Sequence, residues 1–336
     1  MAEPTTRTRR ILKRLGVGVA AMAVTLVVLA LLVVAVAETN WAKIRVLQLA
    51  DRLADGDGLT VDFGAIAATD GGRIAITGLT VGDGGGVWLE IESAIFDWSP
   101  GALLSRRLEL ASLDVTGGHI RRWPAGSGDE PEVGLLPALP VDIVVQDIGI
   151  DSLRFDPPTG IDDALAAEGF VELGRDGQAW LRLEAASLDE PDTGGRLFVR
   201  LRRNDAIDLD VDLRTAPDSR WTASIGAVAG RAAELKVVGD GSLTAWQGTV
   251  QAALGGASLA AFDVTIAGNR RRNISLSGQI VPATWQADLP APLDRPLDLS
   301  AETELARNGT LTIDALTIAN DDLQLAASGT VNTGSG

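Results

Sequence analysis

From residue 58 onward the chain runs in short alternating stretches of apolar and polar residues. The clearest is Ile207-Asp208-Leu209-Asp210-Val211-Asp212-Leu213-Arg214, with aliphatics at every odd position and charges at every even one. A period of two puts the aliphatic side chains on one face of a β-strand and the charges on the other. Leu197, Val199 and Leu201 repeat the pattern, with Arg200 and Arg202 turned the other way. Clusters of Gly, Asp and Asn punctuate these stretches. They are Asp70-Gly71-Gly72, Gly82 to Gly86, Gly117-Gly118, Asp176-Gly177, Gly194-Gly195, Gly239-Asp240-Gly241 and Asn308-Gly309, and each reads as a turn between strands. The pattern predicts an antiparallel β protein with one wet face and one apolar face.

One spacing recurs: apolar, any, apolar, two of any kind, apolar, any, apolar. It occurs at Ile74/Ile76/Leu79/Val81, Leu108/Leu110/Leu113/Val115, Ile143/Val145/Ile148/Ile150 and Leu311/Ile313/Leu316/Ile318. In a flat strand the two-residue insertion turns the second apolar pair to the opposite face. A bulge or kink at the insertion keeps one face and bends the strand. The first three copies begin at residues 74, 108 and 143, a spacing that suits a repeated unit stacked along one axis. The twelve positions of those copies are the candidate apolar groove. An open groove leaves them exposed to a ligand, whereas a solenoid packs them against one another. Between residues 151 and 310 the repeat cannot be followed.

The N-terminal stretch has a different period. Residues 15–37 carry no charge, and as a helix rising about 1.5 Å per residue they span roughly 34 Å, enough to cross a bilayer core of about 30 Å. Arg7, Arg9, Arg10, Lys13 and Arg14 precede the stretch, Glu38 follows it, and Trp41 lies one turn beyond. That asymmetry keeps the N-terminus in the cytoplasm and exports the rest. Ala35-Val36-Ala37 also fits a signal-peptidase site, but the run exceeds the roughly 7–15 residues of a signal h-region, so an uncleaved anchor is expected. Residues 38–54 continue as a short amphipathic helix, with Trp41, Ile44, Val46, Leu49 and Leu53 near one side.

Composition narrows the chemistry. The 336 residues include no Cys and one His, which removes disulfides, thiolate metal sites and two-histidine metal sites. Lys and Arg number 29 against 45 Asp and Glu, a net charge of −16 that excludes a broad nucleic-acid surface. Gly82 to Gly86 lacks a following Gly-Lys-Ser/Thr and leads into Val87-Trp88-Leu89, so it reads as a hairpin turn rather than a phosphate loop. Asp51, Asp55, Asp57 and Asp62 do not match an EF-hand. Alternation places the carboxylates on the solvent face of strands. Arg106-Arg107, Arg121-Arg122, Arg202-Arg203 and Arg270 to Arg272 read as solvated strand ends or edges. His119 reads as structural or exposed. No catalytic, cofactor or metal site is expected, and no enzymatic activity.

Residues 88–124 carry a resemblance. Trp88-Leu89, Phe96-Asp97-Trp98-Ser99-Pro100-Gly101-Ala102-Leu103-Leu104, Arg107-Leu108-Glu109-Leu110, Leu113-Asp114-Val115 and Ile120-Arg121-Arg122-Trp123-Pro124 stand in that order. Leu139-Pro140-Val141-Asp142-Ile143 and Leu153-Arg154-Phe155 follow. This stretch resembles the N-terminal region of the TamB family, the inner-membrane subunit of the bacterial translocation and assembly module. Related AsmA-like proteins share the anchor and the β-rich body. The resemblance implies a long β-sheet curled into an open groove with an apolar floor, bridging the two membranes of a diderm bacterium. It implies phospholipid as a ligand and, as partners, the inner membrane and an outer-membrane barrel assembly protein. The family's C-terminal domain, which meets that barrel, has no counterpart before Thr333-Gly334-Ser335-Gly336, so the chain is expected to be incomplete there.

The expected organisation is a cytoplasmic basic tail (1–14), a transmembrane anchor (15–37), a short amphipathic helix (38–54) and a periplasmic repetitive β-sheet groove (55–336). The expected function is an inner-membrane-anchored scaffold or conduit for outer-membrane biogenesis. It would pass lipids or assist assembly and secretion of outer-membrane proteins. The alternatives are an AsmA-like envelope protein and a structural β-solenoid or adhesin with no lipid ligand.

Overall fold

The computed structural model describes residues 60–68, 73–122, 139, 141–156, 163–202, 206–224, 230–242, 244–268, 271–286, 289–306 and 310–332. The anchor, the amphipathic helix and the loop at 125–138 lie outside the described residues. Among those described, no helix is long and apolar enough to cross a membrane. The fold is mostly β, with strands that are mostly antiparallel and a sheet that does not close on itself. The chain divides into two compact units, Met1–Gly177 and Gln178–Gly336.

In the first unit, β1 (Thr60–Asp62) and β2 (Ala65–Ala68) both pair with β3 (Ile74–Asp83), forming one edge broken at Phe63-Gly64. β4 (Gly86–Trp98) returns beside β3 through a turn at Gly84-Gly85, as the glycine run predicts. A 3-10 helix (Pro100–Ser105) follows and ends at Arg106, whose left-handed φ of 55° aims the chain into β5 (Arg107–Ile120). β6 (Asp142–Phe155) lies parallel to β5, and β7 (Ala164–Leu173) antiparallel to β6. The parallel pair corrects the all-antiparallel expectation. β6 begins at Asp142 beside Arg107, at the start of β5 rather than its end, and the chain between Ile120 and Asp142 is as long as a parallel connection requires.

The recurring spacing does bend the strands: β5 and β6 carry bulges at the insertion, whereas β3 kinks at Gly78 with its register to β4 unchanged. Gly78 and Glu92 stand opposite one another outside the β3–β4 ladder, and Glu92 and Gly117 do so between β4 and β5. The same irregularity continues in β6, between Ile150 and Leu153. A second row runs through Asp97/Trp98, Ala111 and the stretch between Val145 and Ile148. Gly78 and Gly117 have φ of 64° and 67°, which a side chain resists. Each row skips residues on neighbouring strands together, so the apolar side chains stay on one face and the sheet bends along the row.

The Gly117-Gly118 pair is therefore a kink inside β5, not a turn. The even spacing of the copies is also not one repeated unit. Between β3 and β5 lie β4 and the 3-10 helix, whereas between β5 and β6 the described residues form no further strand.

The second unit is an antiparallel meander. Its strands are β8 (Ala179–Ser187), β9 (Gly194–Leu201), β10 (Ala206–Arg214), β11 (Ala233–Ser242), β12 (Ala245–Leu254), β13 (Ala257–Ala267), β14 (Arg271–Ile280), β15 (Leu297–Ala306), β16 (Thr310–Ala319) and β17 (Gln324–Asn332). Each pairs with the next. Two short helices, α1 (Arg220–Ser224) and α2 (Pro282–Trp285), fill connections at the strand ends. The alternation at 207–214 forms β10 as predicted. Gly194-Gly195 and Gly239-Asp240-Gly241, expected as turns, lie inside β9 and β11. There they admit neighbouring side chains instead of reversing the chain.

Candidate functional site

All twelve groove positions fall on one face of β3, β5 and β6. Between β5 and β6 the sequence offset of 35 is also the ladder register, pairing Leu108 with Ile143, Leu110 with Val145, Leu113 with Ile148 and Val115 with Ile150. Through β4 the register differs. Ile76 faces Ala94, which faces Val115, so Ile76 aligns with Val115 rather than with its repeat equivalent Leu110. Eleven of the twelve are buried, and Ile150 is half-buried. Leu89, Ile91, Ala94 and Phe96 on β4, and Val171 and Leu173 on β7, complete the face. Burying a side chain of this size stabilises by about 1.5–3 kcal/mol, so this face dominates the stability of the first unit.

The open apolar surface lies elsewhere, across β8 to β17; it covers the stretch where the repeat could not be followed and takes in Leu316 and Ile318 of the fourth copy. On β12 to β15 half-buried and exposed residues alternate almost without break. The ladder aligns the half-buried set across neighbouring strands. One row runs Leu183, Leu197, Val211, Val237, Val250, Phe262, Gly278, Leu299, Ile318 and Leu325, from β8 to β17. The adjacent row runs Leu181, Val199, Leu209, Gly239, Gly248, Val264, Leu276, Ala301, Leu316 and Ala327. The other face carries Arg182, Arg196, Asp210, Lys236, Gln251, Asp263, Ser277 and Glu302. The four-position repeat missed the open rows because Gly and Ala interrupt the aliphatics. Alternation within 246–250, 262–267 and 274–280 was the available signal.

The charged residues serve the ladder. Arg121 donates to both carboxylate oxygens of Glu90, at 2.6 and 2.7 Å, holding that carboxyl below its ordinary range. Arg122 pairs with Asp83 and donates to the carbonyl of Gly86 at 2.5 Å. Arg202 pairs with Asp208, Arg107 lies 4.0 Å from Glu172, and Arg271 donates to Glu304 at 3.1 Å. Each basic cluster thus has a member paired with an acid: Arg107, Arg121 with Arg122, Arg202, and Arg271. His119 Nε2 lies 2.5 Å from Asp156 Oδ1, tying the end of β5 to the end of β6.

Sequence reasoning missed one buried polar knot. Burial pushes the Glu190 carboxyl up, but the hydroxyls of Ser219 and Thr193 and the backbone N–H and side chain of Arg220 donate to it and bring it lower overall. Its own N–H donates to Ser187 Oγ at 2.8 Å, and the backbone N–H of Ala216 donates to Thr193 Oγ1 at 2.8 Å. The knot fastens the β8–β9 turn to the segment leading into α1. Among the described residues, no three His, Cys, Asp or Glu side chains gather into a metal-binding group. Compared with known protein families, curated proteins and solved structures, the chain matches none.

Proposed function

We propose that the chain is a non-enzymatic, inner-membrane-anchored periplasmic scaffold or conduit for outer-membrane biogenesis, and that acyl chains travel on the apolar face of β8–β17. The observation that carries this reading is that face itself, ten strands wide, aliphatic along aligned rows and only half-buried. An exposed apolar strip wider than a few hundred Å² calls for a ligand or a partner. Lipid tails suit it, because each methylene removed from water contributes about 0.8 kcal/mol and asks for no hydrogen bond. The basic residues before the uncharged run at 15–37, and the resemblance of residues 88–124 to the TamB family, support the inner membrane as the source of that lipid. Assembly or secretion of outer-membrane proteins with a barrel partner belongs to the same proposal and rests on the resemblance alone.

The test is to purify the full chain in mild detergent and identify what co-elutes by native mass spectrometry. The expected result is phospholipid bound in stoichiometric amount and depleted by Leu276→Asp. Protein free of lipid under conditions that preserve the fold overturns the reading. The burial of Ile74 to Val81, Leu108 to Val115 and Ile143 to Ile148 favours a second reading for the first unit, a β-solenoid segment packed without ligand.

A further inference from the structure

The apolar face of the first unit is sealed more completely than strand pairing can seal it. Ile76 and Val81 on β3, and Ala94 and Phe96 on β4, are 0% exposed. Pairing covers the edges of a strand and leaves both faces of the sheet open, so an apolar face is buried only against a further layer. The second unit shows the open condition, where Val237, Val250, Phe262 and Leu299 in one aligned row stay half-buried. Burial in the first unit is also uneven. It is deepest on β3 and β4 and fades toward Ile150 and Leu153 on β6 and Leu165 on β7, which are half-buried. A sheet bent onto itself would seal its two sides equally, since each would cover the other. The further layer therefore lies over β3 to β5, on the side of the edge formed by β1.

We propose that residues 38–54 supply that layer and close the face of the first unit to ligands. They lie outside the described residues, and their sequence predicts an amphipathic helix with Val46, Leu49 and Leu53 on one side and Gln48 and Asp51 on the other. The segment ends six residues before Thr60, where β1 pairs with Gly82 of β3, so it arrives on the side where burial is deepest. Its 17 residues make a helix about 25 Å long, more than the roughly 14 Å from β3 to β6. The crossover between β5 and β6 suits the face less well. It spends Gly126 to Glu132 on Gly, Ser, Pro and acids, which lose their water without gaining partners when laid on aliphatics. Covered in this way, the first face is a joint between the N-terminal segment and the sheet, and the open face is that of the second unit alone.

Because the chain has no Cys, pairs of introduced cysteines report which segment touches the face. Ala94→Cys sits within the sealed region, and Val115→Cys, directly across the ladder from it, is a second reporter. In the full chain, purified in mild detergent, each is combined in turn with Val46→Cys, Leu49→Cys, Leu53→Cys, Gln48→Cys, Asp51→Cys and Leu136→Cys. The pairs are oxidised and the disulfides are identified by peptide mass spectrometry. The expected result is a disulfide in most chains for at least one of Val46, Leu49 and Leu53, with little from Gln48 or Asp51. Trapping from Leu136 instead assigns the layer to the crossover and overturns the proposal. Absence of trapping from every position, or equal trapping from Gln48 and Asp51, overturns it as well. None of these outcomes bears on lipid retained by the wild type, so the conduit reading for the second unit stands or falls separately.

Discussion

The two units use one alternating pattern to opposite ends. In the first, the apolar face is built from Ile76, Leu79, Val81, Phe96, Leu110 and Val145, and these residues are at most 1% exposed. In the second, aligned rows of the same kind alternate Leu, Val and Phe with Gly and Ala, and nearly every member stays half-open. The first unit also bends along two rows of kinks and bulges that cross several neighbouring strands, whereas β10, β11 and β14 run without a break in register. Alternation therefore decides which face is apolar, while side-chain bulk and the placement of bulges accompany the difference between a sealed face and an open one.

A charge placed on each face tests that contrast most severely. Leu110→Asp buries an unpaired carboxylate among aliphatics, which costs several kcal/mol and should melt the first unit, as read by loss of its protease-resistant fragment. Leu276→Asp, on the half-open face, should leave the fold cooperative and remove bound lipid instead. Equal destabilisation by the two changes would falsify the contrast, because the second face would then be ordinary core.

The Glu190 knot comes next in size. Glu190→Ala leaves the hydroxyls of Ser219 and Thr193 without their acceptor and should lower stability by about 1–3 kcal/mol in urea titrations. The folded carboxyl titrates below its ordinary value of 4.5, so its contribution is present above that pH and fades as pH falls through the lowered value. The difference between wild type and Glu190→Ala should accordingly shrink in acid. A difference that stays constant from pH 6 to pH 3 would place the effect in packing rather than in the carboxylate.

The bulge rows are probed by Gly117→Ala. The φ of 67° and a new Cβ 2.8 Å from that of Glu92 should together cost about 1–2 kcal/mol. Gly84→Ala, in a turn with nothing within 4 Å of the added Cβ, should cost less. If the two are equally mild in chemical denaturation, the row at Gly117 is not holding the bend. The smallest effect belongs to Asp210→Arg on the polar face of the second unit, where exposed strand charges change stability by about 0.5 kcal/mol or less. A large shift in its midpoint would show that this face, too, is covered.

Period-two alternation alone was enough to determine that residues 207–214 form a strand, that the chain is mostly β, and that each strand has an apolar side. These follow from local stereochemistry, since successive side chains of an extended chain point to opposite faces whatever lies beside them. The bends inside the recurring spacing were legible for the same reason, because only a bulge or kink keeps Ile76 and Leu79, or Leu110 and Leu113, on one side. Which strands become neighbours was not legible. The spacing of 34 and 35 residues suggested equal units, yet Leu108 meets Ile143 directly across a parallel ladder while Ile76 meets Val115 by way of Ala94. Glycines were misread for a related reason. The flexibility of Gly117, Gly194 and Gly239 suggests turns, but all three lie in strands, where Glu92, Ala186 and Trp246 come too close to admit a side chain, an approach that only strand pairing creates. Whether a face is sealed or open was likewise left to the tertiary structure, because exposure depends on what neighbouring strands place beside each residue and not on its own position in the pattern.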